Sequence, residues 1–290
     1  MRFIRTKAAL AAVGLSLSLA ACGGDDSEGV DTADVEAAGD LTGTPKELSD
    51  AGSIKIGVKY DQPGIGYKEP GSDAPTGLDI EMGRLIAARL GIAEDDIEWT
   101  ETISDNREPF LQNGTVDIVI ASYSITDERR DIVGQAGPYY VTGQQLLVRE
   151  ADKEEITSPD DLKGVKVCSV EGSTSLTRVE DEYGAEAVPL GTYSECVENL
   201  ENETVDVVTT DGAILLGYAA DDPDALEVVG PIFSEERYGI GFQKDDAEMC
   251  QFINDTIEQS YEDGTWDDAF AATLGQSGVE TPEQPAVDAC

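Results

Sequence analysis

Arg129 lies in a chain with 60 acidic and only 19 basic residues, so its position matters. It follows the apolar segment and two serines of IASYSITDERR, residues 120–130, which we interpret as a strand end and the first turn of a helix. A guanidinium there can offer two parallel N–H groups to a carboxylate. Ser122 and Ser124 lie on one side of an extended segment and can add polar groups, although serines are also common in turns. These residues leave open whether Arg129 binds a carboxylate ligand or pairs with neighbouring acids; for Arg130 we favour surface pairing.

Residues after two later strands can complete such a site. In EGSTS, residues 171–175, Gly172, Ser173 and Thr174 lie between a predicted strand and a helix, where free backbone N–H groups favour an anion. Asp211 ends the predicted strand TVDVVTTD, and a buried acid there needs a cationic partner such as an ammonium group. Both have an ordinary alternative, because Thr174 and Asp211 can each cap the helix that follows.

The composition excludes most catalytic chemistry. The chain has no histidine, so Ser-His-Asp and Cys-His catalysis are impossible and the commonest zinc sites lose their usual ligand. No Walker A or G-x-G-x-x-G stretch appears, and no pair of carboxylates has an evident reason for a shifted pKa. A formal charge of -41 excludes nucleic acid as a natural partner, because phosphate contacts need clustered Lys and Arg. We therefore expect a protein that is not an enzyme and uses no metal and no cofactor.

The N-terminus predicts an exported, lipid-anchored protein. Three basic residues precede an apolar run at residues 8–20 that is too short to span a bilayer, which is typical of a signal peptide, here residues 1–21. The run ends in LAAC, which resembles the lipobox of bacterial lipoproteins and implies diacylation of Cys22. Residues 22–44 are predicted to form a flexible acidic tether, because they carry too little apolar surface to fold. The protein is therefore expected at the extracytoplasmic face of the cell membrane.

From Ile54 onward, short β-rich runs alternate with helical segments, which predicts an α/β fold. FLQNGTVDIVIAS at residues 110–122 aligns without gaps on NLENETVDVVTTD at residues 199–211. The offset of 89 residues (211 minus 122) pairs Ser122 with Asp211 at the carboxyl ends of equivalent strands. Ligands of open α/β sheets bind at that end, so two facing lobes would line a cleft with these residues. Chance similarity between two buried strands is the alternative.

Four cysteines follow Cys22, an even number in an exported chain, which favours two disulfides. The sequence does not fix their pairing. The pairs Cys168–Cys196 and Cys250–Cys290 would keep each disulfide inside one lobe.

Three stretches carry a resemblance to a known family: TGLDIEMGRLIAARLG, NREPFLQNGTVDIVIASYSITDERR with PYY after it, and VCSVEGSTS. They resemble the extracellular solute-binding proteins of polar amino-acid ABC importers, and most of all the glutamate/aspartate binders. The resemblance covers about residues 54–274. It implies a monomeric, two-lobed, hinge-closing fold of the type II periplasmic-binding-protein kind, with an ABC permease as partner. The lobes are expected at residues 45–142 with 241–290, and at residues 143–240.

The resemblance also implies which residues hold the amino-acid groups common to all such ligands. Arg129 and Thr174 would contact the α-carboxylate, and Asp211 would take the α-ammonium group. Ser122 and Ser124 would offer hydroxyl and backbone groups to both.

Four other residues match positions that contact the ligand's side chain. Ser104 and Arg107 would hold the distal carboxylate of glutamate or aspartate, Lys59 would be a second cation, and Tyr193 another contact. Each cation has an alternative, since Lys59 can extend along a strand edge and Arg107 can pair with an acidic neighbour. The aromatic wall of lysine/arginine/ornithine binders has no clear match, and Tyr60, Tyr67 or Tyr139 would have to replace it.

Three rival functions remain. Glutamine or another polar amino acid could bind the same scaffold, and would need fewer cations than a dicarboxylate. An enzyme resembling arogenate dehydratases, which share the fold, is disfavoured by the lack of histidine. A structural surface lipoprotein would show no saturable amino-acid binding.

Overall fold

The computed structural model describes residue 32 and residues 35–290. The predicted signal peptide and Cys22 lie outside these residues. Among the residues described, no helix has both the length and the apolar composition needed to cross a membrane.

Strands and helices alternate along the described chain as the sequence pattern predicts. The strands are β1 (Ile54–Val58), β2 (Asp61–Gln62), β3 (Gly66–Tyr67), β4 (Ile97–Glu101), β5 (Ile118–Val119), β6 (Gly134–Thr142), β7 (Gln144–Arg149), β8 (Lys166–Val170), β9 (Glu186–Leu190), β10 (Val207–Asp211), β11 (Leu226–Val229) and β12 (Glu236–Phe242). The helices are α1 (Gly43–Ala51), α2 (Leu78–Arg89), α3 (Arg107–Gln112), α4 (Asp127–Arg130), α5 (Thr174–Glu182), α6 (Tyr193–Glu201), α7 (Gly212–Asp221), α8 (Ala247–Asp263) and α9 (Thr265–Ala272).

Two five-stranded sheets define two lobes. The sheet of the first lobe has the order β4-β1-β5-β12-β6, and that of the second lobe the order β11-β7-β10-β8-β9. In the first, β1 is parallel to β4 and β5, while β12 is antiparallel to β5 and β6. In the second, β8 is parallel to β9 and β10, while β7 is antiparallel to β10 and β11. The parallel strands of both sheets therefore direct their carboxyl ends to one edge, where loops can carry a ligand site.

The chain passes between the lobes twice. The first passage is at Gly143, between β6 and β7. The second ends at Glu236, where β12 pairs with Thr142 of β6, so the expected boundary between residues 240 and 241 falls inside this strand. The sequence pattern YGIGF covers only the last five residues of β12, and pairing with β6 extends the strand toward the N-terminus.

Residues 35–44, expected to be part of the flexible tether, instead contact the first lobe. Val35, Ala38 and Leu41 pack against its core, and the N–H of Ala38 donates to the carbonyl of Arg89 at 2.8 Å. The three apolar side chains are spaced three residues apart, and this acidic segment buries them together against the lobe. The flexible-tether interpretation is wrong for this described portion.

Both disulfides have the expected pairing. Cys168 of β8 joins Cys196 of α6 within the second lobe, with 5.5 Å between their Cα atoms. Cys250 of α8 joins Cys290 with a Cα separation of 5.8 Å, which fastens the C-terminal segment to the first lobe.

Candidate ligand-binding site

A small polar cavity lies between the two lobes, at the carboxyl ends of the parallel strands. Eight of the nine residues expected to bind ligand line it: Ser104, Arg107, Ser122, Ser124, Arg129, Thr174, Tyr193 and Asp211. Four further residues line the cavity, Ser173, Ser175, Thr210 and Ile214; the sequence reasoning named Ser173 only for its backbone N–H and did not name the other three. Its free volume is about 10 Å³, roughly the space of one water molecule, so the lobes are closed upon each other.

Ser122 turns the chain sharply at the floor of the cavity. Its φ of +43° lies in the left-handed region, which non-glycine residues rarely adopt. Asp79, at the start of α2, accepts the Ser122 N–H at 2.8 Å and the Tyr139 hydroxyl at 2.5 Å. Burial raises the pKa of Asp79 to about 6, although both hydrogen bonds favour its ionised form. Asp79 therefore holds the strained turn that aims the backbone at the cavity.

The two arginines meet at one oxygen of the opposite lobe. The terminal nitrogens of Arg107 and Arg129 both donate to the carbonyl of Gly172, at 3.0 and 3.1 Å. Arg107 also donates to the carbonyls of Ser104 and Ala121, at 3.1 and 3.3 Å. Burial, and then the charge of Arg129, lower the pKa of Arg107 to about 10. Two cations thus converge on one point between the lobes.

Arg129 lines the cavity, whereas its neighbour Arg130 does not. The backbone N–H of Arg129 donates to the side chain of Thr126 at 3.2 Å, so Thr126 caps α4. The guanidinium of Arg129 donates to the carbonyl of Ser124 at 2.6 Å. Arg130 points out of the cavity, but it pairs with Asp288 at 2.7 Å and not with its expected sequence neighbours. The C-terminal segment, held by its disulfide, brings Asp288 to that position.

Asp211 lies on the wall of the second lobe and has an open acceptor. Its Oδ2 accepts the Tyr238 hydroxyl at 2.6 Å, whereas its buried Oδ1 has no hydrogen-bond partner among the described residues. Its side chain does not cap α7, so the capping alternative is wrong. Burial, and then the charge of Glu236, raise the pKa of Asp211 to about 7. An ammonium group would supply the missing partner.

Thr174 is the first residue of α5 and does not cap it. The cap is Ser173, whose hydroxyl accepts the Leu176 N–H at 3.1 Å. The Thr174 hydroxyl donates to Glu236 at 3.0 Å, and Arg178 reaches the same carboxylate at 3.3 Å. Glu236 begins β12, so it ties this wall of the cavity to the segment that crosses between the lobes.

Lys59 is placed behind the cavity and does not line it. Its Nζ is buried and donates to the Ser104 hydroxyl at 2.8 Å, so it is not a side chain extended along a strand edge. Burial, and then the charge of Arg107, lower its pKa to about 7. The structure thus puts Lys59 within reach of a ligand only through Ser104.

Tyr193, at the start of α6, is an aromatic residue that lines the cavity. Its N–H donates to Asp61 of the first lobe at 2.7 Å, which links the lobes. Tyr60, Tyr67 and Tyr139, considered as a stacking wall, do not line the cavity, and Tyr139 is engaged by Asp79. That expectation is wrong, because none of these three rings reaches the cavity.

The sequence reasoning missed three side chains that hold the site in place. Asp79 accepts the Ser122 N–H at the floor of the cavity, and the Tyr238 hydroxyl donates to Asp211. The ring of Tyr123 lies beneath the guanidiniums of both arginines. Two carboxyls, Asp79 and Asp211, do have raised pKa values, contrary to expectation. An acid within the apolar pattern of α2 was the one available signal for Asp79.

Residues 54–276 match the bacterial extracellular solute-binding proteins, family 3, and the chain belongs to this family. The glutamate-binding protein GluB of Corynebacterium efficiens is 39% identical over 294 residues, which cover 97% of this chain and 94% of that protein. The ABC transporter glutamine-binding protein GlnH of Bacillus subtilis is 33% identical over 264 residues, covering 90% and 94%. An ancestral arginine-binding protein bound to glutamine has a TM-score of 0.72 and 34% identity, covering 77% of this chain and 98% of that one.

The family and the solved structure confirm the expected two-lobed fold. They also confirm that the chain is a solute-binding protein and not an enzyme. The family consists of extracellular proteins, in agreement with the expected location outside the cytoplasm.

Proposed function

We propose that this protein captures glutamate or aspartate outside the cell and delivers it to the permease of an ABC importer. The observation that carries the proposal is the convergence of Arg107 and Arg129 in a closed cavity that also contains Asp211. Arg129 would hold the α-carboxylate, Asp211 the α-ammonium group, and Arg107 the distal carboxylate. Ser122 and Ser124 would complete the contacts to the common amino-acid groups.

Charge balance supports a dicarboxylate. The cavity is lined by two guanidiniums and one carboxylate, and a buried charge without a partner is costly. An acidic amino acid brings two carboxylates and one ammonium group, so Arg107 and Asp211 acquire opposite partners. Arg129, which already pairs with Glu108 at 3.3 Å, gains a second carboxylate. Glutamine would leave one guanidinium without a carboxylate, and arginine would add a cation with no matching acid.

Local charge also overcomes the field of this acidic protein. Surface carboxylates are screened beyond about 8 Å at physiological ionic strength. Charges in a partly desolvated cavity interact several-fold more strongly than charges in water. Two buried cations can therefore attract a ligand that the protein as a whole repels.

Glutamine is the second candidate, and one observation favours it. The carbonyl of Gly172 accepts from both guanidiniums, so a neutral oxygen can satisfy them together. The amide oxygen of glutamine could act on Arg107 in the same manner. The likeness to GlnH adds support.

Isothermal titration calorimetry against glutamate, aspartate, glutamine and arginine, in separate runs, tests the proposal. The unchanged protein is expected to prefer glutamate or aspartate. Arg107→Ala removes hydrogen bonds to a charged group, worth about 1.5–3 kcal/mol, so glutamate affinity should fall roughly 10- to 150-fold. Glutamine has no distal negative charge, so it loses a hydrogen bond without an ion pair, and its affinity should fall less.

Arg130→Ala is the matched control, because Arg130 is a neighbouring arginine that pairs with Asp288 outside the cavity. It should leave both affinities unchanged. If Arg107→Ala preserves the ratio of glutamate to glutamine affinity, the dicarboxylate assignment is wrong.

We further propose that the mature chain acts as a monomer anchored through a lipid on Cys22. Closure would involve the crossing segments at Gly143 and before β12. Tritiated palmitate should label the protein in bacteria and should not label a Cys22→Ala variant. Labelling of both would contradict the anchor.

A further inference from the structure

Two like charges lie close together in the binding cavity. The terminal nitrogens of Arg107 and Arg129 are 3.0 and 3.1 Å from the same carbonyl oxygen, so at most 6.1 Å separates them (3.0 plus 3.1). Both side chains are largely buried, and little water is available to screen their repulsion. Groups of the first lobe have to offset this repulsion for the two guanidiniums to stay together.

The ring of Tyr123 is suited to this task. The guanidinium carbon of Arg107 lies 4.5 Å from the ring centre, and that of Arg129 lies 4.9 Å from it. Aromatic faces attract cations within about 6 Å, and more strongly where water is excluded. Tyr123 is fully buried, so the attraction acts in a water-poor environment.

Neighbours on both sides fix the ring. Its hydroxyl donates to Oε1 of Glu108 at 2.7 Å, and the same oxygen lies 3.3 Å from Nε of Arg129. Its apolar neighbours form a small cluster beneath the cavity: Leu111, Val119, Ala121 and Val133. The ring has little freedom to rotate, and it can therefore orient the cations above it.

We infer that Tyr123 is a positioning residue that holds Arg107 and Arg129 together as one receptor for two carboxylates. A neutral ring attracts Arg107 without supplying a negative charge that would compete with the ligand. Because glutamate would place a carboxylate on each arginine whereas glutamine would place a neutral amide on Arg107, preference for the dicarboxylate depends on the electron density of the ring. This consequence rests on the proposed function, whereas the holding of the arginines does not.

The test varies the electron density of the ring at nearly constant shape. Tyr123→Phe is the parent protein, and phenylalanines with one, two or three fluorine atoms at position 123 form the series. Nitrogen-15 NMR of the ligand-free proteins measures how fast the Arg107 and Arg129 guanidiniums rotate, with Arg107→Lys and Arg129→Lys used to assign the signals. Calorimetry measures the affinities for glutamate and for glutamine.

Rotation is expected to become faster with each fluorine, and glutamate affinity to fall by roughly tenfold across the series. The ratio of glutamate to glutamine affinity should fall with it, a change that a merely structural role would not produce. If rotation rates do not change along the series, the inference is overturned, whatever ligand binds. If the rates respond but the Tyr123→Phe parent and the unchanged protein bind neither ligand, the proposed function fails while the role of Tyr123 is supported.

Discussion

Replacing Gly172 by alanine should weaken ligand binding through contact between the lobes. Gly172 lies in the loop between β8 and α5, with a φ of +77°, and its carbonyl reaches both arginines of the first lobe. A Cβ added there would lie 3.0 Å from the Cα and backbone N of Asp105, and 3.2 Å from the carbonyl carbon of Ser104. These are backbone atoms of the opposite lobe, so they meet the added methyl group only when the cavity closes.

The size of the effect follows from separating two costs. A left-handed φ costs alanine about 1–2 kcal/mol, but this cost is the same in the open and closed forms and therefore does not change the affinity. Overpacking against backbone costs about 1–3 kcal/mol and is paid only on closure. Gly172→Ala should therefore weaken glutamate binding roughly 5- to 150-fold, as measured by calorimetry.

Gly184→Ala is the matched control in the same lobe. Its φ is +64°, and the nearest atom to an added Cβ is the Lys163 Cγ at 4.0 Å. It should lower the melting temperature as Gly172→Ala does, yet leave glutamate affinity unchanged. X-ray scattering should show less compaction with glutamate for Gly172→Ala than for Gly184→Ala. If both variants bind glutamate equally well, the loop does not approach Asp105 in the bound form and the reasoning fails.

Three other perturbations test the remaining parts of the site and fold. Because Asp211 has a pKa of about 7 and must ionise to bind an ammonium group, affinity should fall as pH drops below 7, approaching tenfold per unit, and Asp211→Asn should abolish this slope in calorimetry. Tyr238→Phe removes the hydroxyl that donates to Asp211 and should weaken binding roughly tenfold, an interpretation that unchanged affinity would contradict. Replacing Cys250 and Cys290 by serine opens a 40-residue loop and should lower the free energy of unfolding by about 2–4 kcal/mol in denaturant titrations; an unaltered midpoint would show that the disulfide contributes little.

Much of the fold could be predicted because local patterns agree with it. The buried runs at β1, β8 and β10 are short, rich in β-branched residues and separated by helical periods. The similarity at an offset of 89 residues (211 minus 122) correctly brought Ser122 and Asp211 to one cavity. The packing of residues 35–44 could not be predicted, since it depends on an apolar surface formed by distant elements.

The site was predictable where a residue's role depends on its place at a strand or helix end. Arg129 and Asp211 are of this kind. The direction of a side chain depends instead on tertiary packing, which is why Lys59 was expected in the cavity and lies behind Ser104. Ser122 and Ser124 were expected on one side of an extended segment, but no role was assigned to Tyr123 between them, whose ring lies near both arginines.

Because residues 35–44 pack on the first lobe, the linker between this lobe and a lipid on Cys22 would be shorter than the sequence suggested. Positions 22 and 35 are thirteen residue steps apart (35 minus 22), and a fully extended chain of that length reaches about 45 Å. A linker that ended at residue 44 would reach about 75 Å. If Cys22 carries the lipid proposed above, the first lobe would stay within about 45 Å of the anchored residue.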